Sequence, residues 1–279
     1  MDTGANHCII ISMPSRPPIA LTIAGSDSGG GAGIQADIKT FAAHGVFGMS
    51  VITSITAQNT VGVRGICDLE PDFVRLQMDA VLEDMGADAV KLGMLSSEEI
   101  VRAVGEKLRE FGVKRLVIDP VMRAKGGDVL LNRGAERALI DELLPLAHIL
   151  TPNIPEAEAL SGSTIGSLEE MRLAAASIKE LGPEFVLVKG GHLSAGDEAT
   201  DVLYDGRDFH ELSAERIKTR NTHGTGCTYS ASICALLAKG MDTLSAVKKA
   251  KWYVTGAIRG SFAIGRGHGP LNHFWNHES

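Results

Sequence analysis

Cysteine, aromatic residues and concentrated positive charge are all scarce in this sequence. Its 279 residues include four cysteines and no CxxC pair, which argues against a zinc-ribbon site and a dense disulfide framework. Such sparse cysteines indicate a reducing compartment, and we expect a cytoplasmic protein. Because 34 acidic residues outnumber 27 basic ones and no Lys/Arg cluster occurs, nucleic acid is not an expected partner.

Long apolar runs are missing as well. The first eighteen residues contain only a four-residue apolar run, which is too short for a signal core or a membrane span. We therefore expect no membrane partner and interpret residues 1–18 as a loose leader. The rest of the chain has the length and the composition of one globular α/β domain, predicted over residues 19–279.

Short β-branched runs alternate with longer helical segments along most of the chain. This alternation predicts a three-layer α/β fold with a mostly parallel central sheet and helices on both faces. After residue 189 we expect a hairpin turning at Asp205–Gly206 and two closing helices, over 224–239 and about 243–262. The six predicted strands are IALTIA, SVITSITA, AVKLG, RLVID, AHILTP and EFVLVK.

Ligands of open α/β sheets bind beyond the carboxyl ends of the strands, so residues that follow the strands are candidates for a site. After the first strand, GAGIQA (31–36) matches the loose dinucleotide fingerprint G-x-G-x-x-G/A. The acidic residue expected about twenty positions further on is absent. A nicotinamide-dependent oxidoreductase is therefore a weak alternative, although the glycine-rich loop still suggests contact with a ligand.

The segment NTHGTGC offers a better phosphate site. Gly224, Thr225, Gly226 and Cys227 open a predicted helix, whose first N–H groups and dipole attract anions. A cysteine there can have a lowered pKa and act as a base, or it can simply pack against the sheet. Cys234, two turns further into the helix, is predicted to be an inert core thiol.

Eight ordered motifs over about residues 19–274 resemble the hydroxymethylpyrimidine/phosphomethylpyrimidine kinases of thiamine biosynthesis, in the ribokinase-like superfamily. The resemblance implies an ATP-dependent enzyme that phosphorylates 4-amino-5-hydroxymethyl-2-methylpyrimidine to its monophosphate and then to the diphosphate. The motifs are TIAGSDSGGGAGIQADIKT, VITSITAQNTVGV, KLGML, DPVM, TPNIPEAE, VKGGH, NTHGTGCTYSA and GHGP.

The resemblance assigns catalytic roles. Cys227 stands where the wider superfamily has an aspartate base, and Gly224, Thr225 and Gly226 form with it an anion hole for the transferred phosphoryl group. Lys189 in VKGGH is expected beside the nucleotide phosphates, where Thr225 and Gly226 also bind ATP.

Oxygen ligands for magnesium are implied by two further motifs. Asn153 and Glu156 in TPNIPEAE resemble an element that helps to hold Mg²⁺ and its waters, and Asp119 in DPVM is an outer ligand candidate. The same Asn-x-x-Glu spacing could also be a simple helix cap.

A planar aminopyrimidine needs a holder with hydrogen-bonding groups at the ring edge. The Gln58 amide can pair with a ring nitrogen and with the exocyclic amine. In the family, this glutamine contacts the pyrimidine, Met94 packs against the ring, and Gly25 and Asp37 lie nearby.

Two other hypotheses share most of these features. A pyridoxal or pyridoxine kinase of the same superfamily also phosphorylates a hydroxymethyl group on a planar heterocycle. A nucleotide-binding sensor would bind ATP without turnover, but the presence of all the catalytic candidates together argues against it. We further expect a small-molecule pyrimidine substrate and a homodimer.

Overall fold

A computed structural model describes residues 16–122, 133–193 and 197–277. Within these residues one central sheet follows the order β3-β2-β1-β4-β5-β6-β7-β8-β9. The pairs from β2 through β1 and β4 to β7 are parallel, and the outer pairs β2–β3, β7–β8 and β8–β9 are antiparallel. The strands are β1 (Ile19–Asp27), β2 (Phe47–Gln58), β3 (Val63–Asp68), β4 (Ala89–Leu92), β5 (Leu116–Ile118), β6 (Ile149–Leu150), β7 (Phe185–Val188), β8 (Glu198–Tyr204) and β9 (Phe209–Glu215).

Helices cover both faces of this sheet. Successive side chains of β1 point to opposite faces, so Leu21 and Ile23 belong to one apolar core and Ala20 belongs to the other. The first core is closed mainly by α2, α3 and α6, and the second by α1, α7 and α8. These helices are α1 (Gly33–Ala43), α2 (Pro71–Asp84), α3 (Glu98–Glu110), α4 (Arg133–Ala138), α5 (Ile154–Ser161), α6 (Leu168–Lys179), α7 (Thr225–Ala238) and α8 (Thr243–Arg259).

The predicted three-layer α/β fold is confirmed, and all six predicted strands form. The predicted hairpin also forms, as β8 and β9. Its turn is stabilised by the Asp205 carboxylate, which accepts hydrogen bonds from the backbone N–H groups of Arg207 and Asp208. Strand β3 was missed because nearly all of its residues are exposed, so it lacks the apolar pattern of a buried strand.

The closing helices fall close to their predicted positions. Helix α8 ends three residues earlier than expected, before Gly260, whose backbone caps it. Cys234 is fully buried within α7, as expected of a core thiol. Residues 1–15 of the predicted leader lie outside the described residues. In the described part of the chain, none of the helices has the combination of length and hydropathy needed to cross a membrane.

Candidate active site

The carboxyl ends of the parallel strands open into a cavity of about 840 Å³. Its wall extends from Gln58, at the end of β2, to Ile258 on α8. The predicted site residues that line this cavity are Gly25, Gln58, Met94, Asp119, Asn153, Glu156, Lys189, Gly224, Thr225, Gly226 and Cys227. The structure therefore brings together residues from seven separate stretches of the sequence, because parallel strands end at one edge of the sheet.

The start of α7 lies against the loop that follows β1. Gly224 precedes the helix with a φ of 81°, and a β-carbon there would overlap the carbonyl group of Gly31. Only glycine fits this position without strain, since it needs both a left-handed backbone and no side chain. The first N–H groups of α7 lack acceptors within the helix, so this end of the cavity suits an anion.

The Cys227 thiol does not have the lowered pKa that its place in the first helical turn suggests. Burial raises the pKa to about 11, while the positive charge of Lys91 and a backbone hydrogen bond from Gly33 act to lower it. Desolvation of the thiolate thus outweighs the favourable end of the helix dipole. This raised pKa favours the protonated thiol at neutral pH, and the base role of Cys227 stays a prediction.

Asp37 requires a correction, because its carboxylate is fully buried and does not line the cavity. It accepts hydrogen bonds from Thr22 Oγ1 at 2.6 Å and from Lys91 Nζ at 2.8 Å. Lys91 does line the cavity, so Asp37 acts on the site by holding this lysine. Burial raises the pKa of Asp37 and would lower that of Lys91, but the carboxylate raises the pKa of Lys91 and keeps it charged.

Sequence reasoning missed Lys91 as a site residue. The available signal was a charged residue in the otherwise apolar strand AVKL, since a buried lysine requires a partner.

Lys189 and Asp119, which both line the cavity, form an ion pair of 2.8 Å. Burial would lower the pKa of Lys189, but Asp119 and Glu156 raise it, so the ammonium group stays charged. A β-carbon at Gly226 would lie 3.4 Å from both Lys189 Nζ and Asp119 Oδ2. The lysine therefore stands directly beside the start of α7, where an anion would be held by both.

Asn153 and Glu156 form the helix cap that the sequence left open as an alternative to a metal role. The Asn153 side chain accepts from the Glu156 N–H at 3.0 Å, and Glu156 accepts from the Asn153 N–H at 2.8 Å. Burial raises the pKa of Glu156 to about 7, although Lys189 opposes the shift. No group of three His, Cys, Asp or Glu side chains in the described residues is arranged to hold a metal ion.

Gln58, Met94 and Gly25 form the end of the cavity near β1 and β2. The Oε1 atom of Gln58 accepts a hydrogen bond of 3.1 Å from Thr56, which orients the amide. A β-carbon at Gly25 would lie 2.5 Å from Met94 Cε, so the glycine allows the methionine to pack against β1. The oriented amide of Gln58 suits the polar edge of a flat ring, and the flexible apolar side chain of Met94 suits its face.

The glycine-rich loop after β1 is not arranged as a dinucleotide site. The Asp27 carboxylate accepts hydrogen bonds from the N–H groups of Gly29, Gly31 and Ala32. A pyrophosphate would need these donors, and they are already occupied by an internal anion. The oxidoreductase alternative is therefore wrong.

The fold and this site define an α/β kinase of the ribokinase-like superfamily. Pyridoxal kinase from Bacillus subtilis in its ADP complex superposes with a TM-score of 0.89 at 40% identity, covering 95% of this chain and all of that one. Phosphomethylpyrimidine kinase from Clostridium difficile superposes with a TM-score of 0.77 at 48% identity, covering 86% and 99% of the two chains.

The chain belongs to the phosphomethylpyrimidine kinase family, whose model matches residues 27–272. The hydroxymethylpyrimidine/phosphomethylpyrimidine kinase of Rhizobium meliloti is 55% identical, over 92% of this chain and 97% of that protein. The thiamine biosynthesis bifunctional protein of Geobacter sulfurreducens is 53% identical over 91% of this chain, but the match spans only 51% of that longer protein.

Proposed function

We propose that this kinase transfers the γ-phosphoryl group of ATP to the hydroxymethyl group of 4-amino-5-hydroxymethyl-2-methylpyrimidine, and then phosphorylates the monophosphate to the diphosphate. One observation carries the proposal: Gln58 and Met94 share a cavity with Cys227 and Lys189. An acceptor alcohol bound at Gln58 and Met94 would face a nucleotide phosphate bound at Cys227 and Lys189. The names of the relatives, which refer to these pyrimidine substrates and to thiamine biosynthesis, support the same assignment.

The first phosphorylation needs a place for a proton and for developing negative charge. The hydroxymethyl oxygen bonds to the γ-phosphorus, the bond from phosphorus to the ADP oxygen breaks, and the hydroxyl proton passes to the thiolate form of Cys227. The N–H groups at the start of α7 and the Lys189 ammonium group stabilise the charge on the phosphoryl oxygens. Thr225 and Gly226 would bind the ATP phosphates through the same helix end.

Magnesium fits the oxygen atoms at the Lys189 end of the cavity. Asp119, Asn153 and Glu156 would hold the ion, partly through water, because Mg²⁺ keeps several waters in sites of this kind. When bound with ATP, the ion would neutralise phosphate charge. This assignment is supported by the carboxyl oxygens of Asp119 and Glu156 and the amide oxygen of Asn153, because all three residues line the same cavity.

Pyridoxal or pyridoxine phosphorylation is the second candidate, favoured by the superposition on pyridoxal kinase. The exocyclic amine discriminates the two substrates, because pyridoxine has no such group to pair with the Gln58 carbonyl. Steady-state kinetics with ATP and each alcohol decide between them. We expect a higher kcat/KM for the pyrimidine, and a failure to phosphorylate either the pyrimidine or its monophosphate would overturn the proposed function.

Replacing Gln58 with leucine is expected to weaken pyrimidine recognition selectively. The substitution keeps approximate bulk but leaves polar groups of the ring unpaired, so the KM for the pyrimidine should rise about tenfold or more. The KM for ATP should hardly change. Gln77→Leu is the matched control, because Gln77 bonds to the backbone of Ile52 and does not line the cavity. Unchanged pyrimidine kinetics in folded Gln58→Leu protein would contradict the assignment.

The remaining expectations also stay proposals. A single kinase domain over 19–279 is supported by the continuous sheet, and a cytoplasmic location is supported by the free thiols of the three described cysteines.

A homodimer is supported by exposed apolar side chains near the β3 edge of the sheet, and sedimentation analysis would test it. These side chains are Ile55, Ile66, Phe73 and Leu76.

A further inference from the structure

Two loops that are almost two hundred residues apart in sequence meet beside Cys227. His223 Nε2 lies 2.9 Å from Asp27 Oδ2, which joins the loop before α7 to the loop after β1. Gly33, the first residue of α1, follows the second loop, and its backbone N–H acts to lower the pKa of the Cys227 thiol. A β-carbon at Gly31 would overlap the His223 imidazole, so the two loops are in close contact at these residues.

Asp27 organises its own loop independently of the histidine. Its carboxylate accepts hydrogen bonds from three backbone N–H groups at 2.8 to 3.1 Å, which tie the turn to the end of β1. Although burial acts to raise it, the pKa of Asp27 is lowered by the hydrogen bonds from His223 and the loop backbone. An ionised carboxylate only accepts hydrogen bonds, so Nε2 of His223 carries the proton between them.

We propose that the Asp27–His223 pair is a positioning device that holds the glycine loop of β1 and the start of α7 in register, and thereby sets the place of Cys227. The His223 side chain is 13% exposed and the Asp27 side chain 3%, so the hydrogen bond is largely shielded from water. Strand β1, which ends at Asp27, contributes Gly25 to the pyrimidine end, while His223 precedes the anion hole. The pair therefore links the acceptor end to the phosphoryl end.

This inference rests on the proposed function for its effect on turnover. Misplacement of a reacting group by about 1 Å can cost on the order of a hundredfold in rate. Loss of the pair should lower kcat more than it raises the KM for either substrate. It should also speed alkylation of Cys227, because the segment that leads to Gly33, whose backbone interacts with the thiol, would no longer be held in place.

Three substitutions at His223 test the proposal. His223→Leu removes the donor, His223→Asn offers an amide on a shorter side chain, and His223→Gln offers an amide that extends further toward Asp27. We expect kcat to fall about tenfold or more in His223→Leu and His223→Asn, and to recover in part in His223→Gln. The rate of alkylation of Cys227 by iodoacetamide at pH 9, followed by peptide mass spectrometry, should rise in His223→Leu and His223→Asn. In His223→Gln it should return part of the way to the wild-type rate.

His148→Leu is the matched control. His148 hydrogen-bonds to Glu184 and Thr243 and does not line the cavity, so its loss should leave kcat and Cys227 alkylation unchanged. Wild-type kcat and alkylation in folded His223→Leu and His223→Asn would overturn the proposal. If His223→Leu does not fold, equal behaviour of the Asn and Gln variants would overturn it. Absence of pyrimidine turnover in the wild type would contradict the proposed function instead, while the alkylation rates would still test the pair.

Discussion

Cys227→Ser protein is expected to turn over at least about a hundredfold more slowly than the wild type, within the range commonly lost with a general base. Serine keeps the size of the side chain, so binding of ATP and the pyrimidine should be nearly normal. Its hydroxyl group is a much weaker acid than the thiol and supplies no anionic base. Single-turnover kinetics and equilibrium binding of each substrate measure the two effects separately.

The raised pKa of Cys227 gives this prediction a pH dependence. With a pKa of about 11, the thiol is protonated at pH 7. The thiolate fraction then increases about tenfold with each pH unit below that value, so wild-type turnover should rise with pH if the thiolate is the base. Cys227→Asp restores the carboxylate of the wider superfamily and should recover part of the activity. Its rate should depend less steeply on pH than that of the wild type near neutral pH, because a carboxyl group ionises at a much lower pH than a thiol.

Cys234→Ser is the control for the loss of a thiol from the same helix. Cys234 is fully buried and does not line the cavity, so the folded variant should retain wild-type turnover. If Cys227→Ser also keeps wild-type turnover while chemistry is rate-limiting, the Cys227 thiol is a packing group. The proton would then pass to water or to the phosphate.

Lys91→Met should destabilise the protein by about 3 to 5 kcal/mol, the usual cost of breaking a buried ion pair from one side. Both side chains of the pair are fully buried, so Asp37 would be left as an unpaired carboxylate. Its pKa, already raised from 3.8 by burial, would rise further without the lysine. The penalty should therefore be absent below pH 3.8 and grow as pH rises toward the pKa of the folded state. Urea denaturation at several pH values measures it.

Two comparisons make this result specific. Lys91→Met combined with Asp37→Leu removes both charges and should recover much of the lost stability. Arg137→Met breaks an exposed pair with Asp141 and should cost no more than about 0.5 kcal/mol. An unfolding free energy of Lys91→Met equal to that of the wild type would show that the Asp37–Lys91 pair contributes nothing to stability.

Much of the fold and the candidate site could be predicted from local patterns. The buried strands are β-branched runs whose pattern is visible in the sequence, and residues that follow parallel strands must share one edge of the sheet. This rule is sufficient to place Gln58, Met94 and Lys189 around one cavity. The requirement for glycine at position 224 comes instead from the tertiary structure, where a helix starts against another loop.

The sequence by itself determined the α/β class, the order of the motifs and the family that they resemble. Only the tertiary structure decided that Asp37 faces Lys91 beneath the cavity, that His223 reaches Asp27, and that the Cys227 pKa is raised. The physical reason is that pairing and desolvation depend on which distant side chains surround a group. The helix dipole at Cys227 can be inferred from local sequence. The burial that opposes its effect on the pKa depends on how the whole chain packs.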